Sequence, residues 1–291
     1  MMKLLTLLHV LLLAAAAPEA ASGAPVIYAH RGDGAGAPEN TLLAFENAWA
    51  LGAGGIECDV RITLDGKLAC IHNATTLEVA NGGPDMIVAE SLHADLRRID
   101  LGQGQRIPTL EAVLARMPEG KKILIDIKCT DQEKGILDPR FLPALERVLK
   151  NSKLPPKDIT LICFHQHVIA DCRERWPDHD AIWLIDPRKR PPLAEIHAGL
   201  KASGASGVGY PAHPQVADDP ETRGAMKALG AQGLSLLCWT LPDQDEAATA
   251  MQFIGLGTGI VVTNDIKAVR AALGPVNKEK TQPREKNHPL Q

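Results

Sequence analysis

The sequence predicts an α/β protein built as a single (β/α)8 barrel, the TIM-barrel class, with a small hairpin insertion after the second strand. Three observations predict it. Eight short β-rich runs recur along the chain. Helix-like segments lie between most of them, and strands that alternate with helices form a parallel sheet covered by helices. The core between the two ends is roughly 250 residues, the usual size of one such barrel.

The β-rich runs are 26–30, 56–61, 123–128, 160–165, 181–186, 207–210, 235–240 and 259–263. The first helix is expected over 41–51, with Asn40 placed to cap it. The next spans 108–117, where Leu110, Val113, Leu114 and Met117 recur at helical spacing. Helical segments follow at 142–149, 168–175, 193–202, 221–229 and 246–254. One excursion breaks the alternation. Leu64-Asp65-Gly66-Lys67 reads as a two-residue hairpin turn between β-rich runs. That register pairs residues whose numbers sum to 131, which sets Asp59 opposite His72 and makes them neighbours on one face.

The ends read differently from the core. Residues 1–22 have the form of an export signal: Lys3, a nearly unbroken apolar stretch from Leu4 to Ala17, then Ala20, Ala21 and Ser22. Residues 274–291 are rich in Pro, Lys, Glu and Gln and are expected to be a disordered polar tail. The barrel is expected over 23–273 as one domain, in an exported protein, periplasmic or secreted. No later apolar run is long enough to span a bilayer, which excludes a multi-span protein and stable membrane insertion after signal cleavage. A net charge of −4 argues against a nucleic-acid-binding surface. The six cysteines have no Cys-x-x-Cys pair, and five lie in or beside predicted strands; buried free thiols are expected rather than a zinc site.

Catalytic residues of such a barrel sit at the C-terminal ends of its strands. The first strand ends in His30-Arg31-Gly32, the second carries Glu57-Cys58-Asp59, and the third carries Asp126-Ile127-Lys128. Strand alternation puts Glu57 with Asp59 and Asp126 with Lys128, each pair on one face. Carboxylates that share one small space repel each other; a shared proton or a divalent cation relieves this. With oxygen ligands alone, that cation is Mg2+ or Ca2+. His30, Arg31, His72 and Lys128 fall near the same mouth. Cationic side chains neutralise phosphate oxygens, and histidines exchange protons near neutral pH, so the set suits phosphoryl chemistry.

Here the chain resembles the glycerophosphodiester phosphodiesterase family. His30-Arg31-Gly32 is followed by Pro38-Glu39-Asn40-Thr41, Ala44-Phe45, Gly52-Ala53, Ile56-Glu57-Cys58-Asp59-Val60, Thr63, Asp65-Gly66 and Ile71-His72. Ile107-Pro108-Thr109-Leu110-Glu111, Trp239-Thr240 and Thr263 continue the likeness, which runs from His30 to about Asp265. The resemblance implies Glu57, Asp59 and Asp126 as metal ligands and His30 and His72 as general base and general acid. It implies Arg31 and Lys128 on the phosphate, Trp239 as a wall for the alcohol moiety, and Glu39 as a brace. The implied reaction cleaves a small-molecule phosphodiester through attack by the substrate's own neighbouring hydroxyl, so no protein nucleophile is required.

Several positions depart from the family's pattern. Asp126 stands where Glu is usual, a feature that resembles the related sphingomyelinase D-like enzymes. Asn73 and Asn264 stand where Asp is common, and Cys163-Phe164-His165 replaces a Ser-Phe-Asp or Ser-Phe-Asn. Glu78-Val79-Ala80 replaces an Arg-Thr-Thr stretch, and the loop between Leu101 and Ile107 is short. These departures leave two alternatives open: the same chemistry on a lysophospholipid or sphingolipid, or a barrel that binds phosphoesters without turnover.

Overall fold

A computed structural model describes residues 24–189, 191–241 and 245–274. The export signal expected over 1–22 and the tail expected over 274–291, Gly274 excepted, lie outside the described residues. The strands are β1 (Val26–Ala29), β2 (Gly55–Ile62), β3 (Leu68–Cys70), β4 (Lys122–Ile127), β5 (Ile159–Cys163), β6 (Asp180–Leu184), β7 (Gly207–Pro211), β8 (Ser235–Trp239) and β9 (Ile260–Thr263). The helices are α1 (Leu42–Ala50), α2 (His93–Leu96), α3 (Leu110–Leu114), α4 (Phe141–Asn151), α5 (Gln166–Arg175), α6 (Leu193–Ser203), α7 (Pro214–Asp218), α8 (Pro220–Ala231), α9 (Glu246–Gly255) and α10 (Ile266–Leu273). All strands but β3 pair in parallel, and β1 pairs with both β2 and β9, which closes an eight-stranded barrel.

The period of two along each strand sorts the side chains into two layers. Ile56, Cys58 and Val60 of β2 and Ile123, Ile125 and Ile127 of β4 face outward, into a core shared with Phe45 of α1, Phe141 of α4 and Phe253 of α9. The inward positions hold a second, smaller core: Tyr28, Leu124, Ile162, Ile182, Leu184, Leu237 and Val262. One step or two further along the same inward rows stand His30, Glu57, Asp59, Asp126 and Lys128. The barrel is therefore plugged with apolar side chains below and lined with polar ones at its mouth. Helix α4 shows how the outer layer is held: Phe141, Leu142, Leu145 and Val148 are buried at helical spacing. Each such side chain contributes roughly 1.5–3 kcal/mol relative to exposure.

The eight barrel strands and seven expected helices are all present, with ends shifted by a few residues. Helix α3 is shorter than its apolar pattern, beginning after a Thr109 cap and ending at Leu114. The insertion between β3 and β4 carries α2 and a third apolar cluster of Ala69, Ile71, Ala80, Val88, Leu96, Ile99, Leu101 and Ile107. All six cysteines are buried and free. Among the described residues, no helix is long and apolar enough to cross a membrane.

Two local expectations need correction. The β2–β3 hairpin pairs Val60 with Cys70, Arg61 with Ala69 and Ile62 with Leu68, so paired numbers sum to 130 and the register is shifted by one. The loop has three residues, closed by Thr63 and Lys67, and Gly66 takes φ +70, the left-handed residue such a loop requires. Asp59 therefore lies opposite Ile71, whose N–H donates to its carbonyl, and not opposite His72. The second correction is the cap of α1. Thr41 fills that role, its hydroxyl accepting from the Ala44 N–H at 3.2 Å. Asn40 has φ +55 and turns its side chain toward β2 instead.

Candidate active site

The site begins where the inward rows of β1, β2 and β4 run out. Leaving β1, the chain turns sharply: Arg31 has φ +54 and Gly32 φ +87. A Cβ on Gly32 would lie 2.7 Å from the Cβ of Ala44, so α1 can pack this close only against glycine. The turn points the Arg31 N–H at Glu57 Oε2, 3.0 Å away. It also brings the Arg31 guanidinium to Asp59 Oδ2 at 3.1 Å and to Glu39 at 2.9 Å. Glu39 is thus a brace on Arg31.

Glu57, Asp59 and Asp126 are all buried, and one oxygen of each lies within 4.8 Å of the other two. Lys128 Nζ donates to Asp126 Oδ2 at 2.6 Å and pairs with Asp59 Oδ1 at 2.9 Å. Asn40 Nδ2 donates to Asp59 Oδ2 at 2.8 Å. The other oxygen of Asp126, Oδ1, is buried with no hydrogen-bond partner. Three carboxylates, one of them with an unpartnered buried oxygen, fit a divalent cation, and the donor set contains no soft ligand.

The titration of these groups follows from burial and charge. Burial, then Asp59 and Asp126, push Glu57 well above the usual carboxylate range. Burial also raises Asp126, against the pull of Lys128. Burial alone would raise Asp59 as well, but Lys128, His72, Arg31 and His30 outweigh it and hold Asp59 ionised. Lys128 is raised because Asp126 and Asp59 overcome its desolvation. Burial and Arg31 bring His30 down to about 4, and burial lowers His72 too. His30 is therefore neutral near pH 7.

The two histidines flank the carboxylates. His30 Nδ1 lies 2.8 Å from Asn264 Oδ1, and its Nε2 lies 3.2 Å from Thr240 Oγ1. His72 Nδ1 lies 2.5 Å from Asn73 Oδ1. An amide oxygen only accepts, so in each ring Nδ1 carries a hydrogen, and the neutral His30 keeps its lone pair on Nε2. His72 reaches Asp59's field although β3 ends at Cys70, because the chain leaves the pleat there and strand alternation no longer governs it. Arg61 holds it: Nε donates to the His72 carbonyl at 2.8 Å and Nη1 to the Cys129 carbonyl at 2.9 Å.

Trp239 lies on the far side of the mouth, edge-on to Phe164 with ring centroids 5.2 Å apart. It lines a cavity of about 330 Å³ with Pro187, Pro211, Ala212, His213, Gln215, Val216 and Thr240, so the cavity adjoins His30 through Thr240. His165 is tied to the Gln132 carbonyl at 2.8 Å and stands on the rim. All nine residues singled out from the sequence thus fall around one mouth. Arg61 and Glu246, which orders the end of β9, were not among them. Arg61 shares the strand parity of Glu57 and Asp59, a signal that was there to read; Glu246 opens a helix and carries none.

Comparison with known proteins agrees with this geometry. The sequence profile of the Glycerophosphoryl diester phosphodiesterase family matches residues 30–268. A glycerophosphodiester phosphodiesterase of Caldanaerobacter subterraneus subsp. tengcongensis is 32% identical over 168 residues, covering 55% of this chain and 66% of that one. The crystal structure of a glycerophosphodiester phosphodiesterase from Thermotoga maritima superposes with a TM-score of 0.68 at 22% identity, covering 84% of this chain and 96% of that one. A phosphodiesterase of Oleispira antarctica, solved in complex with the product sn-glycerol-3-phosphate, superposes with a TM-score of 0.72 at 20% identity, covering 87% of this chain and 98% of that one. The match to the family spans nearly the whole barrel and every residue of the mouth described above up to Asn264, and the chain belongs to the glycerophosphoryl diester phosphodiesterase family.

Proposed function

We propose that this chain, a phosphoric diester hydrolase by family, cleaves glycerophosphodiesters to glycerol 3-phosphate and an alcohol at one divalent cation, with His30 and His72 exchanging the protons. The observation that carries this reading is the buried cluster of Glu57, Asp59 and Asp126, with Arg31 and Lys128 ion-paired into it. The three carboxylates would hold Mg2+ or Ca2+, which supplies a Lewis acid for the phosphate oxygens. Arg31 and Lys128 add the positive charge that a dianionic transition state needs in a site shielded from water.

His30 Nε2 takes the proton of the substrate hydroxyl next to the phosphate. That oxygen bonds to phosphorus as the bond to the departing alcohol oxygen breaks, and His72, entering as the imidazolium beside the bound anionic phosphate, gives its Nε2 proton to the alcohol and becomes neutral. Water then opens the resulting cyclic phosphate with the two histidines in exchanged roles. Thr240, on His30 Nε2, yields its place to the substrate hydroxyl. The cavity beside Trp239 takes the alcohol moiety. Its mainly apolar lining supports a second reading, the same chemistry on a lysophospholipid or sphingolipid.

The experiment offers the purified chain glycerophosphocholine, glycerophosphoethanolamine, glycerophosphoglycerol and a lysophospholipid, with Mg2+, Ca2+ or chelator. Cation-dependent release of glycerol 3-phosphate supports the first reading, and cleavage of the lysophospholipid alone supports the second. Silence on all four with cation bound overturns both and leaves a phosphoester-binding barrel. The chain is also proposed to be exported, from the character of residues 1–22; an unprocessed N-terminus on protein recovered from cells refutes this.

A further inference from the structure

Glu246 is a buried carboxylate, 7% exposed, that the reaction above does not use. It opens α9, and among the described residues its side-chain hydrogen bonds run to the three residues that follow one another out of β9. Oε2 accepts from the N–H of Asn264 and the N–H of Asp265, each at 3.0 Å, and from the Thr263 hydroxyl. Three donors and a helix N-terminus offset the cost of burying the charge. Those same residues hold His30. The Thr263 carbonyl accepts from the His30 N–H at 2.9 Å, and Asn264 Oδ1 accepts from the ring at 2.8 Å. Beyond them, Asp265 caps α10 through the Ala268 N–H at 2.9 Å. Asn264 is therefore clamped on both sides, by Glu246 and by the start of α10.

We infer that Glu246 is a positioning residue for His30: by ordering Asn264 it keeps the imidazole hydrogen on Nδ1 and leaves Nε2 free to accept a proton. Without that clamp, the Asn264 N–H is left unpaired and its segment is free to turn. The amide oxygen then leaves the ring, and His30 can place its hydrogen on Nε2 and donate to the Thr240 oxygen instead. The ring would be present with the wrong nitrogen facing the substrate. The inference rests on the reading of His30 as proton acceptor, but its central claim is a tautomer that is observable without turnover.

The test records 15N-histidine spectra of the full chain, with the His30 signals assigned by their loss in His30→Gln, alongside kcat, KM and cation affinity. Wild type is expected as the Nδ1–H tautomer. Glu246→Gln keeps an acceptor oxygen and is expected to preserve it. Glu246→Ala is expected to give mixed tautomers and a kcat lowered about 10–100-fold, with KM and cation affinity unchanged. Asn264→Ala should reproduce this loss, and the double variant should add little to it, because the two residues act through one contact. Should Glu246→Ala fail to fold, Glu246→Asp, too short to reach the same donors, takes its place with the same expectation. An Nε2–H tautomer in wild type, or a folded Glu246→Ala that keeps Nδ1–H, overturns the inference. The expected tautomers with no phosphodiester cleaved would instead overturn the proposed reaction and leave the positioning role standing.

Discussion

Asn40 and Asp59 exchange two hydrogen bonds: Asn40 Nδ2 donates to Asp59 Oδ2 at 2.8 Å, and the Asp59 N–H donates to Asn40 Oδ1 at 3.1 Å. One side-chain amide thus sets both the backbone and the carboxylate of the central acid in the cluster. Asn40 reaches it because its backbone lies in the left-handed region, which asparagine tolerates better than most residues. Asn40→Gly keeps that backbone free of strain and removes only the amide. It is expected to weaken cation affinity about 10–100-fold, as loss of partners behind metal ligands does. Calorimetric titration with Mg2+ and Ca2+ checks this.

Asp126 brings a buried carboxylate oxygen, Oδ1, that has no hydrogen-bond partner among the described residues. Asp126→Ala should weaken the cation titration and lower Lys128's proton affinity, since its main partner is gone. Asp126→Glu adds a methylene where Lys128 Nζ already sits 2.6 Å away, so it is expected to reduce activity even though the charge is kept. An undiminished rate for Asp126→Glu would show that the shorter side chain is not what shapes this pocket.

His30→Ala and His72→Ala each remove a proton carrier. Each is expected to lower kcat about 10²–10⁴-fold while cation binding persists, because neither ring is bonded to the carboxylates. Steady-state kinetics beside a cation titration separates the two effects. Unchanged turnover in either variant would remove that histidine from the proposed chemistry.

His30 also predicts a pH dependence of stability. Burial and Arg31 lower its folded value to about 4, below the ordinary 6.5 it regains on unfolding. Between these values the unfolded chain binds more protons, so this contribution to stability is complete above the higher value and is lost as pH falls toward the lower. The stability difference between wild type and His30→Gln should therefore change across this window and be flat above it. Denaturant melts at several pH values, with chelator present, provide the measurement.

Gly32→Ala places a methyl 2.7 Å from Ala44 at a φ of +87. Strain and overpacking act together, and a loss of about 1–3 kcal/mol or more is expected. Because Gly32 adjoins Arg31, the cation affinity should fall with the midpoint of unfolding.

The alternation of β-rich runs with helix-like segments made the barrel legible, and within each strand the period of two fixes which side chains share a face without any knowledge of its neighbours. Parity alone puts Glu57 with Asp59 and Asp126 with Lys128, each pair on one face, and the structure turns both faces toward the barrel interior. The hairpin shows where parity stops. Leu64, Asp65 and Gly66 form a three-residue loop where two were expected, and that one-residue difference moved the partner of Asp59 from His72 to Ile71. His72 still came to the site, but through Arg61 and a chain that had already left its strand.

The sequence by itself thus determined the fold class, which strand residues share a face and the chemical types gathered at the mouth, since these depend on local periodicity and residue chemistry. Only the tertiary structure decided that Asn40 serves Asp59 rather than a helix end, that Arg61 joins the insertion to β4, and that Glu246 reaches His30 through Asn264. Each of these is a contact between segments 11 to 234 residues apart. Such contacts are set by how strands close and how loops pack, and no local pattern encodes which donor will meet which acceptor across that closure.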